Sequence, residues 1–251
     1  MPPRFGTLDL NAWARMASTI NGFKTEEWKL KGAEILELHL EIDDDPADAL
    51  IPRTMHPAIP AYTIINVMHA PDSPVGPFSI GEVRIAGRTG VRPRGFVLRS
   101  FCDSEAARKE LAARWGFPVA PADVSVSVRH DRVVGKVAVN GKTVLHAELI
   151  DRDAISGNDI QYIASMHLAR NRDDQKLVLV QVDPEYTFSK AERGRPSVVT
   201  LDNDAFGADG HLRLMNPIMA SFAVADVTLP KIRYICNPEL PALQGTTKVA
   251  A

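Results

Sequence analysis

The sequence predicts an α+β fold that is mainly antiparallel β, with few helices. Three observations carry this. Short runs of β-forming residues, alternating or wholly apolar, recur along most of the chain. One segment alone has helical periodicity with both caps in place. No G-x-G-x-x-G turn joins a strand to a helix. A curved or closed antiparallel sheet suits these features.

Residues 1–22 read as an arm, with a short helix over residues 8–16 that Asp9 can cap. The first strand covers residues 34–42. Ile35 is out of phase, but Leu36, Leu38, Leu40 and Ile42 alternate with Glu37, His39 and Glu41, which predicts one wet face. Asp43-Asp44-Asp45-Pro46 breaks this strand and leads into a helical turn that ends at Ile51-Pro52. The acidic triplet reads as a solvated helix start, because no further ligand spacing accompanies it. Residues 62–68 form a second strand, followed by a loop rich in proline and glycine over residues 71–77. Strands resume at residues 78–85 and 95–101.

The capped helix spans residues 104–115. Asp103 or Ser104 can cap it, Glu105 sits in its first turn, and Ala107, Leu111 and Trp115 form an apolar stripe. Gly116 suits a left-handed cap and Pro118 prevents the helix from resuming. Val124, Val126 and Val128 then alternate with serines, and His130-Asp131-Arg132 turns the chain. Asn140-Gly141 between two β-rich runs is a type I′ hairpin signature. Further strands are expected at residues 176–182, 197–201 and 221–229, the last closed by Pro230, with a tail over residues 238–251.

The 251 residues are 45% hydrophobic and 24% charged, the balance of a globular protein with a sizeable core. A formal charge of −2, from 29 basic and 31 acidic residues, supplies no net field for nucleic acid or an anionic membrane. Cys102 and Cys236 read as buried thiols in a reducing compartment. The opening residues contain no apolar run of signal-peptide type, and no apolar run is long enough to span a membrane, so a cytoplasmic location is expected.

Familiar catalytic motifs do not account for the chain. The histidines (His39, His56, His69, His130, His146, His167 and His211) include no pair three to five residues apart, and H-E-x-x-H, C-x-x-C and G-x-S-x-G do not occur. No metal or cofactor is expected.

Several landmarks nevertheless fall in a recognisable order: Ile51-Pro52, Val67-Met68-His69, Gly76-Pro77-Phe78, Phe117-Pro118 after the helix, residues 131–135 before the hairpin, and Ala225-Asp226-Val227-Thr228-Leu229-Pro230. In this order and spacing the chain resembles the acetoacetate decarboxylase family over roughly residues 30–235. The resemblance implies one domain across residues 1–251, with a β-barrel-like fold, an apolar internal pocket and a homo-oligomeric state. In that family a lysine directly after the aromatic-Pro pair forms a Schiff base with a β-keto acid. Desolvation and a neighbouring cation keep it neutral enough to attack. The matching residue here is Val119, followed by Ala120. Ile80 stands where the family has a glutamate, Ile64 matches a second one, and a family arginine falls near Ala33. A divergent member without the Schiff-base lysine is expected. Lys109, Lys136, Lys142, Lys176 and Lys231 read as surface charges.

If Ile80 faces the pocket, strand alternation puts Glu82 and Arg84 on the same face, and Tyr62 and Asn66 share a face with Ile64. Glu82 and Arg84 are then the candidate catalytic pair, a general acid or base and an anion partner. The competing reading is a solvated pair at the rim. Tyr62, Ile64, Asn66, Ile80, Phe117 and Val119 are the candidate substrate-binding residues. Arg84, Arg88, Arg92, Arg94 and Arg99 form a basic stretch suited to substrate guidance, subunit contacts or ordinary loop charge. Two functions fit: a lyase, hydratase or cyclase acting on a mostly apolar oxo- or carboxylic small molecule, or a non-catalytic binding protein using the same pocket.

Overall fold

The computed structural model describes residues 4–209 and 212–249; His211 and the extreme ends of the arm and tail lie outside them. The arm holds α1 (Leu10–Trp13), where Asp9 Oδ1 accepts from the Asn11 and Ala12 amides, and β1 (Ser18–Ile20). Next come β2 (Trp28–Ile42), α2 (Asp44–Ala49), β3 (His56–Pro57), β4 (Tyr62–Ala70), β5 (Phe78–Thr89) and β6 (Arg92–Cys102). The helix α3 (Glu105–Trp115) precedes β7 (Val119–Pro121), β8 (Asp123–Val128), β9 (Arg132–Val139) and β10 (Lys142–Ala154). The chain continues through β11 (Ser165–Asn171), β12 (Leu177–Val182), β13 (Glu185–Leu201) and β14 (Leu214–Leu229). It ends with β15 (Tyr234–Cys236), α4 (Ala242–Gly245) and β16 (Thr246–Lys248).

The sheet runs in the order β16-β15-β12-β11-β6-β5-β4-β2-β14-β13-β10-β9-β8. Its pairs are antiparallel except where β11 joins β6, β1 joins β11 and β7 joins β6. The two ends do not pair among the described residues, so the sheet is curved and open. Of the curved or closed sheet that the sequence left open, the closed form is not adopted.

The local signals explain the elements. Ser104 Oγ accepts from the Ala107 amide at the start of α3, and Gly116 closes the helix in the left-handed region at φ 68°. Ala107, Leu111 and Trp115 are buried as the stripe predicts, and Trp115 Nε1 donates to the Pro230 carbonyl at 2.8 Å. Asn140 and Gly141 take φ 51° and 79° between β9 and β10, as a type I′ turn requires. Cys102 and Cys236 are buried free thiols.

Several expectations are corrected. The wet face expected around Glu37 and His39 in β2 is absent, since both are buried along with the leucines. The basic stretch is not a loop. It is a β5–β6 hairpin in which Arg84 and Arg94 are buried and paired with Glu82 and Asp183, while Arg88 and Arg92 are exposed. The tail is folded through residue 249, with α4 leading into β16, which pairs with β15 at the sheet edge. No helix among the described residues is long and apolar enough to cross a membrane.

The core lies on both faces of the central strands. One face of β2, β4 and β5 sends Leu36, Leu38, Ile65, Val67, Val83 and Ile85 into a large aliphatic cluster. The other sends Ile35, Ile80 and Phe78 toward Leu111, Trp115 and Phe117 on and after α3.

Candidate active site

The second face is not filled. Between it, α3 and β13 lies a narrow cavity of about 50 Å³, enough for a few water molecules or a small ligand. Ile35, Met68, Phe78, Ile80, Leu111 and Phe117 make much of its wall apolar, and Asn66, Glu82, Arg84, Ser165 and Tyr186 supply the polar groups.

Sheet register aligns these polar groups. Ser221 pairs with Glu37, Glu37 with Asn66, Asn66 with Glu82, and Glu82 with Ser100. The result is one polar rung across five adjacent strands, in a region whose other positions are mostly apolar. Buried polar groups need partners, and along this rung the carboxylates have them. Glu82 Oε1 accepts from Arg84 Nε at 2.8 Å and from Nη2, and its Oε2 accepts from Ser100 Oγ at 3.1 Å. Glu37 accepts from Asn66 Nδ2 and is bonded to His39 Nε2, both at 2.9 Å.

Glu82 is 3% exposed and Arg84 8%, which disposes of the solvated-rim reading. Burial alone would pull the Arg84 pKa down; Glu82 and Glu37 together reverse that and hold it above its ordinary value. Arg84 uses three of its five N–H donors, two toward Glu82 and one toward the Ile163 carbonyl at 3.3 Å. One hydrogen on each terminal nitrogen is left for a ligand.

Tyr186 lines the cavity as a neutral phenol, its pKa raised chiefly by burial. Its ring packs edge-on against Tyr162, whose hydroxyl is buried close to Ser221 Oγ. Ser165 Oγ donates to His167 Nε2 at 2.8 Å, because His167 Nδ1 already donates to the Trp115 carbonyl at 2.9 Å. Burial holds the His167 pKa down to about 4, so this imidazole is neutral.

The structure therefore brings Asn66, Ile80, Phe117, Glu82 and Arg84 together at one cavity. The other three candidates stand outside its lining. Ile64 is fully buried and faces Arg84 across the β4–β5 ladder. Tyr62 stacks on His39 at a centroid distance of 5.5 Å. Val119 pairs with Ser100, one strand beyond Glu82. Strand phase misses Tyr186 and Ser165: their segments alternate, as Ser165-Met166-His167-Leu168 and Glu185-Tyr186-Thr187-Phe188-Ser189, but alternation does not say which strands they pack against. It also misses Glu37, because the leucines around it suggested a solvated reverse side. The available signal was a single polar residue at the centre of three successive strands: Glu37 between leucines, Asn66 between Ile65 and Val67, and Glu82 between Gly81 and Val83.

All ten lysines of the chain are exposed, and none lines the cavity. Among the described residues no cluster of His, Cys, Asp or Glu is arranged to hold a metal.

Residues 16–235 match the family model for acetoacetate decarboxylase (ADC). The chain belongs to the acetoacetate decarboxylase family. Comparison with curated protein sequences finds no match. Among solved structures, acetoacetate decarboxylase from Legionella pneumophila superposes with a TM-score of 0.70 at 18% identity, covering 84% of this chain and 88% of that one. The enduracididine biosynthesis enzyme MppR complexed with pyruvate gives a TM-score of 0.65 at 13% identity, covering 81% and 87%. An acetoacetate decarboxylase-like enzyme from Sphingomonas wittichii RW1 gives 0.62 at 16%, covering 82% and 92%. At these identities the likeness is one of fold.

Proposed function

We propose that this member of the acetoacetate decarboxylase family is an enzyme that works without a lysine Schiff base. It acts as a lyase, hydratase or cyclase on a small, mostly apolar oxo- or carboxylic compound, in the cytoplasm and as the homo-oligomer that the family resemblance implies. The observation that carries the reading is the buried Glu82–Arg84 pair at an apolar cavity. A carboxylate and a guanidinium are kept dry beside space for a ligand, although an apolar wall would be the simpler way to finish a core. Glu82 is the general acid or base. The free Arg84 hydrogens hold the substrate oxygen and stabilise negative charge that develops on it. Asn66 and Tyr186 orient the substrate, and Ile80 and Phe117 contact its apolar part.

Schiff-base chemistry needs an amine desolvated enough to be neutral near pH 7. Exposure of every lysine, with valine at position 119, supports its absence. The pyruvate bound by the MppR relative supports a carbonyl as the group recognised in the ligand.

The test has two parts. Acetoacetate and borohydride should leave the protein mass unchanged; an adduct on any lysine would overturn the lysine-free mechanism. A panel of oxo compounds of about three to six carbons, followed by NMR, should include one that is turned over. Glu82→Gln should slow that turnover by about 100-fold or more. Unchanged turnover would remove Glu82 from catalysis, and a panel that binds without turnover would leave the cavity a binding site only.

A further inference from the structure

The charges around the cavity constrain what can enter it. Among the described residues, Arg84 is the one cationic side chain in its lining, and Glu82 already neutralises it through two N–H donors on a single carboxylate oxygen. One residue further along the rung, Asn66 spans from the cavity wall to Glu37, a second carboxylate that is 0% exposed. The group bonded to Glu37 that can carry positive charge is His39. The other titratable groups facing this space add none: burial keeps His167 uncharged and leaves Tyr162 and Tyr186 as phenols.

With His39 neutral, Arg84, Glu82 and Glu37 sum to −1; with His39 protonated the sum is 0. In neither case is there surplus positive charge. A carboxylate ligand would take the sum to −2 or −1 in a water-poor space, where like charges repel strongly and unpaired charge is disfavoured.

We propose that the ligand of this cavity is a neutral oxo compound, and that Glu37 is the residue that excludes anions. This deepens the function proposed above and rests on the same cavity. Within that reading, Arg84 donates to a carbonyl oxygen, and the substrate class narrows from oxo- or carboxylic compounds to uncharged ketones, aldehydes or amides. Glu37 is a specificity residue acting through Asn66 and through its field on Arg84, without touching the ligand.

Butyramide and butyrate form a suitable probe pair, matched in shape and different in charge at pH 8. Binding to the full chain is measured by NMR titration, with Ile80→Trp filling the cavity as the control for location. Butyramide should bind at least tenfold more tightly than butyrate, and Ile80→Trp should abolish its binding. Glu37→Gln, which can keep the contact with Asn66, should strengthen butyrate binding about tenfold and leave butyramide nearly unchanged. Glu82→Gln provides a second variant with the same expected sign, since it frees the Arg84 charge. Butyrate binding as well as butyramide to the native chain would overturn the inference while leaving the cavity reading intact. An unchanged preference in both variants would do the same. If neither probe binds any of these proteins, the cavity reading itself falls, and the inference with it.

Discussion

The two faces of β2, β4 and β5 are built from the same three strands by opposite rules. One face carries Leu36, Leu38, Ile65, Val67, Val83 and Ile85, and its glycine neighbours allow very close packing. A Cβ added at Gly81 would meet Val137 Cγ2 at 2.5 Å, and one at Gly135 would meet Val67 Cγ2 at 2.8 Å. The other face places Glu37, Asn66 and Glu82 on one rung and leaves space beside them. The packed face is held by apolar contacts that many sequences could supply. The open face is held by a hydrogen-bonded charge pair that cannot lose one member alone, so the two faces should respond differently to substitution.

The largest effect should come from breaking the charge pair on one side. Arg84→Met removes the cation from Glu82, which keeps only the Ser100 hydroxyl as a partner. A loss of about 3–5 kcal/mol is expected in chemical denaturation at pH 7, since a buried carboxylate is left uncompensated. Adding Glu82→Gln should recover much of that loss, because the penalty lies in the orphaned charge and not in the missing bond. A double variant as unstable as the single one would mean that Arg84 acts by packing.

A pH titration should separate the faces next. The packed cluster is built of apolar side chains, whereas His167 lies beside the open face, under the Phe117 ring at a centroid distance of 4.0 Å. Its pKa falls from 6.5 in the unfolded chain to about 4 in the fold. The unfolded state therefore binds the proton first as pH drops. The stabilisation is complete above pH 6.5 and is lost as pH falls toward 4, by about 3 kcal/mol in all. His167→Gln should be less stable at pH 7 but should show a shallower decline between pH 6.5 and 4, read from urea midpoints across that range. Parallel declines for the two proteins would place the titrating group elsewhere.

This contrast also explains what the sequence could reveal. The packed face was legible because Leu36, Leu38, Leu40 and Ile42 alternate, and α3 because Ser104, its apolar stripe and Gly116 all agree. Glu82 and Arg84 were placed correctly relative to Ile80 by the period of two. The second wall was not legible: the sequence alternates around Ser165 and Tyr186, but only the tertiary fold brings β11 and β13 to the cavity beside β5. Alternation alone also misjudged Glu37 and His39. A strand with one apolar face reads identically whether its polar face meets water or a buried network. Only the neighbouring strands decide, and their register is a tertiary fact. Val119 shows a related limit: the resemblance read from the sequence aligns it with the family lysine, yet it is not part of the cavity lining.

The smallest difference between the faces should come from one aliphatic truncation on each. Leu38→Ala removes contacts on every side and leaves a closed void, so a loss of about 2–5 kcal/mol is expected. Ile80→Ala deletes a side chain that already borders free space, where one side has no neighbouring atoms to lose. Its loss should fall at or below the lower end of that range, about 2 kcal/mol, with a larger cavity as the structural consequence. The same variant should therefore accept a bulkier neutral probe, such as a branched ketone, that the native cavity rejects. Urea denaturation of the two variants side by side, with probe binding to the second, reads both effects. Equal destabilisation would mean that the cavity closes in solution and that the two faces are packed alike.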